Sequence, residues 1–237
     1  MLYVALLMGI VAIVISDKLT QAFKLSSIWR VIGQICASLV IIIVGKLEVR
    51  YINLGDHFDL GYLSIPFTLL FLVGFTNVMN LEKVQKPSIL LLPIASLVCF
   101  SMSAYFMGHS FVFNMGIYSS LAIVFILLYG YFSGKVLLGR TLTTSIGFII
   151  AVLSISLIKT SIVTIYIPIF TLALPFTLYY FIQDKFTSVQ SITISSLIAI
   201  LFGALMFIVP FHKIWYLVVG LTIVLVIIQS SRKYRFI

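Results

Sequence analysis

Long apolar runs follow one another along this chain with only short polar connectors, and this feature constrains the fold more than any other. The runs fall near 2–16, 31–45, 62–80, 88–107, 111–132, 144–158, 162–182, 190–210 and 214–230. A helix of about 20 apolar residues crosses the hydrocarbon of a bilayer, whereas a transmembrane barrel strand alternates polar and apolar side chains. Nine crossings use most of the 237 residues. The expected fold is therefore all-α, a polytopic transmembrane helix bundle of about nine spans, with 1–237 forming a single integral membrane domain. Hydrophobic residues make up 62% of the chain, too much for the polar exterior of a soluble enzyme. The 2–16 run is short for a span, but no basic segment precedes it and no A-x-A-like cleavage site follows, so it reads as a retained first helix. The 31–45 run carries Gly33, Gln34 and Ser38 and suits a position partly in the protein interior.

Charge in the connectors sets the orientation. With nine spans and the N-terminus outside, the inner side receives Lys18, Lys24, Arg30, Lys83, Lys86, Lys135, Arg140, Lys185, Arg232, Lys233 and Arg235, against Lys46, Arg50, Lys159 and Lys213 outside. That bias places the N-terminus outside and the C-terminus in the cytoplasm. It also accounts for the net charge of +9 without a nucleic-acid partner. Cys36 and Cys99 lie within apolar runs and read as buried thiols. Tyr3, Trp29, Trp215, Tyr216 and Tyr234 fall near span ends as headgroup anchors, and Gly147 and Ala151 read as helix-packing residues.

Groups able to do chemistry are few. Asp17, Glu82 and Asp184 are the inner carboxylates, one per loop, while Glu48, Asp56 and Asp59 share one outer loop, and His57, His109 and His212 all map outside. The outer loop has metal-ligand residue types without close, rigid spacing, so a solvated hairpin is expected there and no metal site. No nucleophile triad, phosphate-binding loop or dinucleotide fingerprint is present. Composition and spacing alone give a membrane protein without an active site.

Three inner segments and their neighbouring helices nevertheless resemble the polyprenyl-phosphate N-acetylhexosamine-1-phosphate transferases. Leu25-Ser26, Arg30 and Gly33-Gln34 fit D-D-x-x-x-L-S-x-x-x-K-L-x-G-Q without a gap, which places the carboxylate pair on Thr20-Gln21; Asp17 serves only if the loop is realigned. The stretch from Ile52 through Leu60-Gly61-Tyr62-Leu63-Ser64-Ile65-Pro66 to Thr76-Asn77-Val78-Met79-Asn80-Leu81 is similar to the one leading into T-N-x-x-N-L-x-D-G-x-D-G. Asn77 and Asn80 match, while the two aspartates become Lys83 and Lys86 and the glycines Val84 and Pro87. Lys135-Val136-Leu137-Leu138-Gly139-Arg140-Thr141 with Gly147-Phe148 resembles K-I-F-M-G-D-T-G-S and its downstream G-F, with Arg140 in place of the aspartate. Ile167-Pro168-Ile169 and Leu174-Pro175 resemble the helix before the family's histidine-rich loop, but 183–190 contains no histidine. The resemblance covers most of 1–180, beginning at the family's third helix, and 190–237 match only as two further spans.

The resemblance implies a scaffold that moves a sugar phosphate from a UDP-sugar to undecaprenyl phosphate at the cytoplasmic face of the bacterial membrane, with Mg2+ held by carboxylates. Lys83, Lys86 and Arg140 at acid positions would repel that ion. Two like charges about 4–8 Å apart, at an effective dielectric near 20, interact by roughly 2–4 kcal/mol. The expectation is a catalytically inactive relative without catalytic residues, metal or cofactor, acting as partner or regulator in envelope glycan synthesis. Lys83, Lys86, Arg140, Asn77, Asn80 and Lys135 form a possible phosphate- or lipid-binding set, against the simpler reading that the basic residues only follow loop charge bias. The alternatives are an active, Mg2+-dependent divergent transferase using Asp17, Glu82 or Asp184 and, last, a small transporter. The expected partners are the bilayer, undecaprenyl phosphate and another envelope-synthesis membrane protein.

Overall fold

The computed structural model describes residues 1–53, 57–79, 87–133, 139–158, 165–183 and 185–208, with the single positions 216, 220 and 223. Helix α1, Leu2–Ala22, runs well beyond the apolar stretch expected at 2–16 and is long enough to span. Its added turns carry polar residues because Asp17 and Thr20 are buried within the bundle rather than exposed at its surface. It ends in a left-handed turn: Lys24 has φ 50°, the Leu25 N–H donates to the Thr20 carbonyl at 3.0 Å, and the Lys24 N–H to that of Gln21 at 3.4 Å. The chain then reverses into α2, Ile28–Ile43.

Helix α2 buries Gln34, Ala37, Ser38 and Ile41, one face at helical spacing, which bears out its interior position. Cys36 points the other way and is exposed, contrary to the expectation of a buried thiol, because it lies about 200° around the helix from Gln34. Cys99 is buried as expected. After α2 a small antiparallel hairpin pairs β1 (Tyr51–Asn53) with β2 (His57–Asp59) in the register Tyr51↔Asp59, Ile52↔Phe58, Asn53↔His57. The hairpin expected in this loop is thus present. The Val49 N–H donates to Thr68 Oγ1 at 3.0 Å and ties its base to α3, Ser64–Val78.

A 3-10 turn at Pro87–Leu90 leads into α4, Leu91–Phe106. Gly108, at φ 69°, lets the His109 N–H reach back to the Ala104 carbonyl at 2.8 Å, so α5, Ser110–Ser133, starts after a tight reversal. Helix α6, Arg140–Ile158, follows, then a π-helical turn at Pro168–Ala173, α7 (Leu174–Ile182) and α8 (Ser188–Ile208). Pro168 and Pro175 lack the N–H that a regular ladder needs, and the wide turn falls between them.

Two groups of helices share α6. On one side α1 packs on α2, α3 on α6, α1 on α6 and α2 on α3. On the other, α4 packs against α5, α8 and the π turn, with α7 beside α8. Residues Ile150–Ile158 of α6 are buried without a break. Small residues allow this closeness: a Cβ on Gly147 would stand 2.6 Å from the Thr76 carbonyl oxygen, and one on Gly9 2.7 Å from the Phe148 ring. In the second group Thr171 Oγ1 lies 3.0 Å from Ser96 Oγ, and Tyr166, stacked on Phe170, donates its hydroxyl to the Phe202 carbonyl at 2.9 Å.

The described parts of the first eight apolar runs lie mainly on helices. Among the described residues five segments are long and apolar enough to cross a membrane: Leu2–Ala22, Gly61–Val78, Ser88–Phe106, Ser110–Ser133 and Arg140–Ile158. Ile28–Ile43, Pro168–Ile182 and Val189–Leu205 are shorter apolar helices. The ninth run, 214–230, lies largely outside the described residues.

Candidate functional site at the joined ends of four helices

The C-terminal ends of α1 and α3 and the N-terminal ends of α2 and α6 meet at one end of the first helix group, opposite the hairpin. At its centre two amides pair reciprocally. Gln34 Nε2 donates to Asn77 Oδ1 at 3.1 Å, and Asn77 Nδ2 donates to Gln34 Oε1 at 2.8 Å and to the Val73 carbonyl at 2.9 Å. Gln34 is buried and Asn77 half-buried. An unpaired amide in apolar surroundings costs about 1–3 kcal/mol, so each residue explains the presence of the other.

One turn before the end of α1 lies a second polar pair. Asp17 Oδ1 stands 4.0 Å from Arg30 Nε; the aspartate is buried and the arginine retains about a fifth of its side-chain exposure. This is an ion pair rather than a hydrogen bond. Asp17 Oδ2 and Arg30 Nε each lack a hydrogen-bond partner among the described residues. Asp17 and Thr20, three residues apart, share one face of α1. Thr20 Oγ1 donates to the Ser16 carbonyl at 2.7 Å within its own helix, and Gln21, beside it in sequence, is exposed.

The expected site residues divide accordingly. Asn77 is brought onto α2, Thr20 is buried within α1, Gln21 is turned outward, and Arg140 opens α6 at the same end. Asn80, Lys83, Lys86 and Lys135 lie outside the described residues. Sequence reading placed Gln34 in the interior and Asn77 in a motif but did not join them. Amides in separate apolar runs, Gln34 in one and Asn77 in the other, were the available signal.

A hard divalent cation asks for several oxygen donors carrying net negative charge. Among the described residues this end offers one carboxylate, Asp17, and it already faces a guanidinium. No group of three or more His, Cys, Asp or Glu gathers among them. The described residues therefore do not fit Mg2+.

Residues 1–158 match Glycosyl transferase family 4, and the chain belongs to that family of multi-pass membrane proteins. Over 176 residues it is 24% identical to the probable undecaprenyl-phosphate N-acetylglucosaminyl 1-phosphate transferase of Bacillus subtilis (strain 168), covering 72% of this chain and 49% of the relative. The chain thus spans about half the length of that relative. Gly33, Gln34, Asn77 and Gly147, which carry the close contacts between α1, α2, α3 and α6, all fall within the matched region.

Proposed function

We propose that this chain is a non-catalytic member of its family that keeps the membrane scaffold and binds a polyprenyl phosphate, undecaprenyl phosphate in a bacterial cell, as partner or regulator of an envelope glycan pathway. The observation that carries this reading is the state of the acid positions. Thr20 spends its hydroxyl inside α1, Gln21 is exposed, and Arg140 stands where the family motif has an aspartate. Lys83 and Lys86 occupy the other two. Arginine presents a planar fork to phosphate oxygens and lysine a compact cation, so three such residues at the family's acid positions suit a lipid phosphate without a metal. Asn77, Asn80 and Lys135 complete the proposed set. In this reading the chain makes nine spans, with its N-terminus outside and its C-terminus in the cytoplasm, and the site faces the cytoplasm from the bacterial cell membrane.

Alanine at both Lys83 and Arg140 should abolish co-purification of polyprenyl phosphate, read by mass spectrometry of the extracted lipid. Unchanged lipid content would contradict the reading. One observation favours a second reading, a divergent active transferase: Asp17 keeps a buried carboxylate oxygen without a hydrogen-bond partner among the described residues, one turn from Thr20 and Gln21. That reading requires Mg2+-dependent UMP release that falls when Asp17 becomes Asn.

A further inference from the structure

Between α1, α5 and α6 lies a groove of about 560 Å3, open along one side. It runs from Ile149 to Thr141 on α6 and is walled by Ile10 and Val14 of α1 and by Ala122 and Ile126 of α5. Its lining is mostly apolar side chains with the hydroxyl residues Tyr118, Ser119, Thr141 and Ser145 among them, and the Ser145 hydroxyl donates to the Thr141 carbonyl of its own helix. Such a wall, with no charged side chain in it, is complementary to hydrocarbon.

Length narrows the occupant. Thr141 to Ile149 spans about 12 Å of helix at 1.5 Å per residue, most of the roughly 15 Å depth of one leaflet. Ile149 is the midpoint of α6, so the groove ends near the bilayer centre. This fits a chain belonging to one leaflet, whereas a polyprenyl chain exceeds the groove several-fold. Charge narrows it further, because the other end of the groove lies at Thr141, next in sequence to Arg140, the first residue of α6 at the positive end of its dipole.

We propose that the groove binds one acyl chain of an anionic glycerophospholipid from the leaflet on the Arg140 side, with the headgroup phosphate at Arg140. This site is separate from the polyprenyl-phosphate reading except that both place a phosphate on Arg140. The test is therefore made with no polyprenyl phosphate present.

The full chain is purified in detergent, offered phosphatidylglycerol or phosphatidylethanolamine, and retained lipid is counted by native mass spectrometry. About one phosphatidylglycerol per chain should be retained, with roughly fivefold preference over phosphatidylethanolamine from a single arginine near the headgroup. Ala122 is exposed at the groove and Val14 half-buried, so Ala122→Phe and Val14→Phe each fill it without entering the core. Each should lower retention by about tenfold or more, the equivalent of two or more acyl methylenes displaced. On the wild-type chain, phosphatidylglycerol with a photoreactive acyl chain should label α5 and α6 along the groove. Equal retention of the two lipids, retention unaffected by both fillings, labelling spread evenly around the bundle, or a lipid-free dimer that Ala122→Phe dissociates would each overturn the proposal.

Discussion

Gln34 and Asn77 show how one residue fixes the meaning of another. Their amides exchange two hydrogen bonds across 43 residues of chain, so Asn77→Ala should strand the buried Gln34 amide and destabilise the protein by about 1–3 kcal/mol. Thermal melts of the single and double alanine variants should give a coupling of about 1 kcal/mol; simple additivity would show that the pair does not join the helices. Asp17 and Arg30 are asymmetric, since the arginine has partial access to solvent and the aspartate almost none. Arg30→Ala should therefore cost more than Asp17→Ala, about 3 kcal/mol, because it leaves a buried carboxylate uncompensated. His109, at the turn between α4 and α5, is held by burial below its ordinary value of 6.5. Folded protein there binds fewer protons than unfolded, so the contribution is complete above about pH 6.5 and is lost as pH falls toward the lower folded value. Melting temperature should drop over that interval, and His109→Gln should flatten the profile. At this scale the sequence was legible one residue at a time: Gln34 read as interior because lipid excludes an amide, but its partner depended on how α2 meets α3. Cys36 was misread because a residue in an apolar run can face either protein or the surface.

Elements were legible where hydrophobicity alone decides them and illegible where packing does. The eight apolar runs within the described residues became helices, yet α1 continues through Asp17, Lys18 and Gln21 because neighbouring helices cover part of its polar face. The π turn at Pro168–Ala173 has no periodic signature, only two prolines seven residues apart. Two element-level outcomes follow from backbone geometry. Lys24 holds a left-handed conformation at the end of α1, so Lys24→Gly should stabilise by about 1 kcal/mol, seen as a raised melting temperature. Gly147→Ala would push a methyl into the Thr76 carbonyl, backbone against backbone, and should destabilise by about 1–3 kcal/mol through separation of α3 from α6. A melting temperature unchanged by Gly147→Ala would mean that the two helices are not packed as described.

For the whole molecule, fold class and family were both readable from the chain: the apolar runs pointed to a helical bundle, and motifs spaced across most of 1–180 resembled the polyprenyl-phosphate transferases, in line with the match of 1–158 to Glycosyl transferase family 4. What the sequence could not supply was the mutual arrangement of the site's polar side chains. That arrangement has an in-helix bond at Thr20, an ion pair at Asp17 and Arg30, and an amide clamp behind them. Among its described residues this end of the bundle has one carboxylate, Asp17, fewer than a divalent ion would need. The direct test of a non-catalytic scaffold is a transfer assay on folded protein in lipid, with undecaprenyl phosphate, UDP-N-acetylglucosamine and Mg2+ or Mn2+, scoring UMP release beside Glu82→Gln and Asp17→Asn. The account predicts release no higher than background in all three proteins. Metal-dependent release by the wild-type chain that either substitution removes would contradict it and make the protein an enzyme.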